Sequence, residues 1–401
     1  MHALRAPVAF DGTRFLPGGA TVLVEGDTIA GVEPAAYDVP ADCSVITYTG
    51  TLLPGLIDAH SHLVSDGSLG ALERAGVASV EEVDAQIERS LVQQAAYGVT
   101  TVLDLGDVGY RTLPFRTPAP GRPRVVASGP PITITGGHCH FLGAVADGPD
   151  EIRAAVREHH ERGVDVIKVM ASGGFLTPGT DMMGAQYGAE DLRVLVDEAH
   201  RHGLGVRAHA HSVRGIEEAL AGGVDAIEHF TGICEDGAVL SDDLLGRVAA
   251  AGVQVDPTMG NDFSLIHTLP PPPPQVLEVQ QRLGLDMQAF FEQRYGHLGR
   301  MRDHGLTVVP GVDSGAMPLK GHGNQWLAVT DLVKGGYPVA EALMTATAGT
   351  ADALGVGDVT GSIRPGLAAD VLVVDGDLRA EPDALGRRTA VWVRGESVIP
   401  A

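Results

Sequence analysis

Cysteine is scarce in this 401-residue chain: Cys43, Cys139 and Cys234 lie far apart, with no Cys-x-x-Cys spacing. An odd, sparse count argues against a disulfide scaffold and fits a reducing compartment, the cytoplasm. Basic residues are also few, 28 against 51 acidic ones, giving a net charge of −23. That balance argues against a nucleic-acid partner gripped through its phosphates, and an acidic membrane surface would repel the chain. Nowhere do 18 apolar residues run together, so no membrane span is expected. The opening MHALRAPVAFDGTRF holds no continuous apolar stretch, so no signal peptide is expected either. Glycine (53) and proline (25) are abundant, in a composition that is 44% hydrophobic. This supplies a core and the turns of a compact enzyme, and excludes wholesale disorder.

Short apolar runs bounded by Gly, Pro or polar residues mark eight β-strands. They are Leu53–Ala59, Val99–Leu105, Arg124–Ser128, Val164–Ala171, Leu204–Ala210, Val224–Phe230, Val253–Pro257 and Leu306–Asp313. Amphipathic stretches of helical period lie between or after them: Val80–Ala96, Asp150–Arg162, Ala189–His202, Val213–Ala221, Asp242–Ala251 and Val339–Leu354. Strands alternating with helices predict parallel βαβ units, and eight of them predict a (β/α)8 barrel, residues 53–357. The ends differ. Ala20–Val32 reads as a hairpin, and Asp370–Asp375 and Ala390–Val398 as further strands. Residues 1–52 and 358–401 are therefore expected to build one small β-sandwich, with the barrel inserted between them. One segment breaks the pattern. Between Met259 and His304 the chain carries Pro270–Pro274, expected to be extended and non-helical, in an insertion that is either a lid or a spacer or oligomer contact.

Chemistry-bearing residues cluster at the predicted strand ends. Asp58-Ala59-His60-Ser61-His62 closes the first run, and in an extended strand His60 and His62 face one side and can reach one metal. With sixteen histidines, a lone pair of this kind arises readily by chance. Lys168 sits inside the wholly apolar Val166–Met170, where a charged amine is costly. It is either ion-paired with a buried acid or carbamylated by carbon dioxide, which turns it into an anionic oxygen ligand able to bridge two metal ions. His209, His229 and Asp313 end the fifth, sixth and eighth runs. Each alone reads as structural; six candidates at C-terminal ends of barrel strands converge on one point.

This pattern resembles the amidohydrolase superfamily with a binuclear metal centre. Leu53-Pro54-Gly55-Leu56-Ile57-Asp58 and Gly361-Ser362-Ile363-Arg364-Pro365-Gly366 are similar to its flanking motifs. Thr135-Gly136-Gly137-His138 and Ile167–Gly174 resemble its imidazolonepropionase-like branch, which contains prolidase-like enzymes. The resemblance implies two divalent ions, most often zinc, and often a homo-oligomer. It implies His60, His62 and Asp313 as ligands of one metal, His209 and His229 of the other, and carbamylated Lys168 between them. Asp313 would also act as general base and then acid, and His138 would hold the substrate's carboxylate or oxyanion. A loop histidine without a role is the alternative for His138. Two departures concern the substrate: Leu103-Asp104 stands where relatives carry Arg-Asp, and His211 where prolidase-like relatives carry tyrosine.

The expected reaction is hydrolysis of a small amide, an Xaa-Pro dipeptide or N-acyl amino acid. His138, His140, Tyr187, Arg207 and His211 are expected to gather at the barrel mouth around the substrate's carboxylate. Arg207 could equally turn outward. Other C–N or ester bonds (carbamate, urea, lactone, cyclic amide) are the alternative within enzymes. A non-catalytic binding or assembly barrel is the alternative outside them, and the complete ligand set argues against it.

Overall fold

The computed structural model describes residues 1–271, 274, 277, 280, 281, 284 and 287–399. Seven parallel strands form in the order the apolar runs predict: Leu56–Ser61, Val99–Asp104, Arg124–Ala127, Val166–Met170, Gly205–Ser212, Ala226–Cys234 and Gln254–Asp256. Adjacent strands pair in parallel register except between the third and fourth, where Asp165 N donates to Ala127 O and Ile132 bridges Val169. The eighth stretch, expected as a strand over Leu306–Asp313, makes isolated bridges only: Val308 to Val255, and Ser314 to Ser61. Those bridges, with Asp313 N donating to His60 O, close the barrel.

Helices Val80–Ala96 and Asp242–Ala251 have the expected bounds, and Gly148–Arg162, Ala189–Arg201 and Val213–Gly222 fall within two residues of theirs. The first begins at a full capping box, Ser79 with Glu82, which satisfies two otherwise orphaned backbone donors. Its apolar face, Val83, Ile87, Leu91 and Ala95, is buried against the barrel core. Val339–Leu354 is not one helix. It divides into Val339–Thr345 and Ala348–Ala353, because Thr347 adopts φ −132°, ψ −103°.

The two ends of the chain meet. One sheet orders Thr28–Pro34, Ala20–Glu25, His2–Ala6 and Ser44–Thr47; another orders Glu396–Ile399, Arg388–Val393, Val371–Val374, Thr51–Pro54, Val8–Phe10 and Phe15–Leu16. Leu4, Val22, Ile29, Leu52, Val371, Val373 and Trp392 share one buried cluster across both sheets. Ala390–Val398 is a hairpin rather than a single strand. In the insertion after strand seven, Pro270 and Pro271 lie outside regular structure while Pro274 is helical, contrary to the expectation; Pro272 and Pro273 lie outside the described residues. Proline is tolerated in a helix's first turn, where its missing N–H has no partner to lose. The helix Met287–Asp303 follows. Among the described residues no helix is long and apolar enough to cross a membrane.

Candidate metal centre

Strand alternation sends His60 and His62 to one side of the first strand, with ring centroids 5.4 Å apart. The eighth stretch then brings Asp313 to both: Oδ1 lies 3.0 Å from His62 Nε2 and 3.5 Å from His60 Nε2. Lys168 Nζ is 3.3 Å from His60 Nε2. The ring of His229 lies 5.1 Å from that of His60 and 4.4 Å from that of His209. All six residues singled out as ligands line one cavity of about 180 Å³. Among the described residues, three sets of donor atoms fall close enough together to hold an ion: His60–His62–Asp313, His209–His211–His229 and His60–Glu228–Asp256.

The backbone is arranged for this convergence. His229 and Asp313 have φ of 68° and 66°, the left-handed region that costs a non-glycine residue roughly 1–3 kcal/mol. Asp58, wholly buried, accepts from Val312 N (3.0 Å) and from Ser314 Oγ (2.8 Å), tying the first strand to the eighth around Asp313. Close approach also explains Gly311, where a Cβ would sit 2.4 Å from His60 N. Gly311→Ala is therefore expected to force the first strand and the eighth stretch apart. Thermal melting should show a loss of about 1–3 kcal/mol, together with weakened metal retention. An unchanged melt would mean that the two stretches are not held this tightly.

Burial sets the protonation states. It pushes the His209, His211 and His229 pKa values well below the ordinary imidazole value, helped by neighbouring charges: His138 for His209, Arg294 for His211 and His211 for His229. Neutral imidazoles keep an open lone pair for a metal. Burial likewise lowers Lys168, opposed by Glu228 and Asp313, and so favours the neutral amine. Burial alone would raise Asp313, but the hydrogen bond from His62 and the adjacent positive charges hold its carboxyl below the usual range. Neutral imidazoles at His209, His211 and His229 beside an ionised Asp313 fit divalent cations.

Surrounding groups fix the rings. His62 Nδ1 lies 3.2 Å from Gly106 O, His229 Nδ1 3.1 Å from Thr258 Oγ1 and His211 Nδ1 2.9 Å from Thr231 Oγ1. His60 Nδ1 is 2.8 Å from Glu228 Oε2, and Arg207 donates from Nε to the other oxygen of that carboxylate (2.7 Å). A carboxylate behind a ligating histidine orients the ring and raises its basicity.

The expected substrate contacts divide. His138 lines the cavity, its ring 4.5 Å from that of His209, and burial lowers its pKa to about 3. Gly174 makes room for it, since a Cβ there would meet the ring at 2.3 Å. His211 also lines the cavity, but its ring stacks on His229 at 4.3 Å, which makes it a possible metal donor as well. His140 is exposed with Nδ1 2.9 Å from Gly137 O, and is not part of the cavity lining; Cys139 before it, at φ 54°, turns the chain. Tyr187 is buried elsewhere and donates its hydroxyl to Ala146 O (2.7 Å). Arg207, expected at the mouth or facing outward, does neither: it is buried on Glu228 behind His60.

Several groups in the cavity wall or buried behind it went unread in the sequence. Glu228 and Asp256 carried a signal, being acids at the ends of apolar runs like Lys168 within its own. Phe290, Phe291 and Arg294 come from the insertion helix and Lys320 from the loop after the eighth stretch, where no periodicity pointed at the site.

A closed α/β barrel whose strand ends gather histidines, an aspartate and a buried lysine in one cavity is the framework of metal-dependent barrel hydrolases. The chain belongs to the amidohydrolase family, whose model matches residues 51–398. Its sequence is 32% identical over 209 residues to ochratoxinase of Aspergillus niger, a match covering 45% of this chain and 43% of that protein, so this chain spans under half of that relative's length. It is 26% identical over 405 residues to imidazolonepropionase of Salinispora arenicola, covering 92% of this chain and 88% of that one. Its fold is similar to that of a crystallised Xaa-Pro dipeptidase with bound methionine: TM-score 0.84, 24% identity, 99% of both chains covered.

Proposed function

We propose that the protein is a metal-dependent amidohydrolase that cleaves the amide bond of a small substrate, an N-acyl amino acid or an Xaa-Pro dipeptide. The observation that carries this reading is the convergence of His60, His62, Lys168, His209, His229 and Asp313 on one cavity at the C-terminal ends of the barrel strands. His60, His62 and Asp313 would hold one divalent ion and His209 and His229 a second, zinc in both places. Lys168 would carry a carbamate. As the free amine it would bond to the carbon of carbon dioxide and release a proton to solvent, and the resulting anionic carbamate would supply oxygen ligands. Such a pair of cations acidifies water and polarises a carbonyl oxygen.

This chain's residues do the rest. Asp313, ionised beside His62, accepts a proton from the attacking water and delivers it to the departing amine nitrogen. His138, neutral and with Nδ1 unpartnered among the described residues, offers an N–H to the carbonyl oxygen as negative charge develops there. The apolar wall around the site excludes bulk water, which strengthens both interactions.

The same reading keeps a cytoplasmic location, with which three free cysteines agree, a homo-oligomer as the family resemblance implies, and a division into a β-sandwich (1–52 with 358–401) and a barrel (53–357). The test is amine release from N-acyl amino acids and Xaa-Pro dipeptides by purified enzyme. A chelator should abolish turnover and added zinc should restore it. Turnover that survives complete removal of metal would contradict the proposal.

A further inference from the structure

Arg294 and Lys320 are buried, line the cavity and, among the described residues, form no ion pair with a carboxylate. Arg294 donates to Thr231 Oγ1 (2.9 Å), His229 O (3.3 Å) and Pro257 O. Lys320 Nζ donates to Thr258 O (2.8 Å) and Val312 O (2.6 Å). The two therefore hang from the carbonyls of adjacent residues, Pro257 and Thr258, just past the end of strand seven. Carboxylates act on the two only from beyond ion-pair contact, Asp313 foremost on Lys320 and Asp256 on Arg294, so neither cation is paired in contact with an acid. Two such cations side by side in a cavity wall make a ready site for an anion. Phe290 and Phe291 from the same helix are apolar and line the same cavity, with the Arg294 guanidinium 5.8 Å from the Phe290 ring centroid.

We propose that Arg294 and Lys320 seat the carboxylate of the substrate's leaving amino acid, while Phe290 and Phe291 pack against its apolar side chain. This rests on the amidohydrolase reading above and assigns its specificity to different residues from those the sequence suggested. The insertion thereby supplies the selectivity of the site, whereas the barrel strands supply its chemistry.

The test uses metal-loaded full-length enzyme and two probes that lack the scissile N-acyl bond, L-leucine and L-leucinamide. Calorimetric Kd values are taken for wild type, Arg294→Met, Arg294→Lys and Lys320→Met, with metal content and thermal melts as controls. Wild type should bind the acid about tenfold to a hundredfold more tightly than the amide, the usual worth of a charged hydrogen bond. Arg294→Met and Lys320→Met should each lose most of that preference by weakening the acid alone, and Arg294→Lys should keep part of it. Equal binding of both probes by wild type overturns the assignment, as does full preference retained in a folded, metal-replete Arg294→Met. If Arg294→Met fails to fold, the Lys320→Met result decides in the same way. A retained acid preference with no turnover of any amide would refute the amidohydrolase reading and leave the carboxylate seat standing.

Discussion

Replacing Lys168 by alanine is expected to cost the protein most of its metal and to lower kcat/KM by at least about a hundredfold, more than a supporting residue costs. Lys168 is fully buried in an apolar strand, 3.3 Å from His60 Nε2, and burial favours its neutral amine. Only a neutral amine can take up carbon dioxide, and burial shifts this lysine in that direction. Short carboxylic acids added to Lys168→Ala should restore part of both metal and activity, because they return oxygens to the vacated space. A structural lysine predicts another outcome: a destabilised protein with normal metal stoichiometry and no rescue. Metal analysis and rescue kinetics on the same preparation separate the two.

The second large effect is expected at Asp313. Asp313→Asn keeps the side chain's size but removes its capacity to take a proton, so kcat should fall by about 10²–10⁴. KM should change far less, because Arg294, Lys320, Phe290 and Phe291, which are proposed to grip the substrate, are untouched. Glu228 gives the contrast. Glu228→Gln leaves a hydrogen-bonding group behind His60 and should cost only about 10–100-fold in metal affinity or activity. Steady-state kinetics on zinc-saturated enzyme reads both. An Asp313→Asn variant with near-normal kcat would remove this aspartate from the chemistry.

The barrel and its converging residues were legible because strand alternation is a local property. His60, His62, Lys168, His209, His229 and Asp313 all ride on or just beyond apolar runs whose direction the pattern sets. Loop residues were not. His140 and Tyr187 looked like neighbours of the site in sequence, yet a left-handed Cys139 and a hydrogen bond to Ala146 send them elsewhere. Arg207 misled for a different reason: its strand position was read correctly, but its partner Glu228 lies behind His60 rather than at the mouth. Arg294 was beyond reach, since its place depends on how the helix Met287–Asp303 packs beside strand seven. The eighth stretch shows the converse, a segment that positions Asp313 while pairing through only isolated bridges.

The most direct measurement is the metal content of purified, carbonate-replete protein, set against activity as metal is titrated into chelated enzyme. Two divalent ions per chain, with activity rising to a maximum only as the second binds, is the expected result. One tightly bound ion supporting full activity, with no further gain on adding more, would contradict a binuclear site bridged at Lys168.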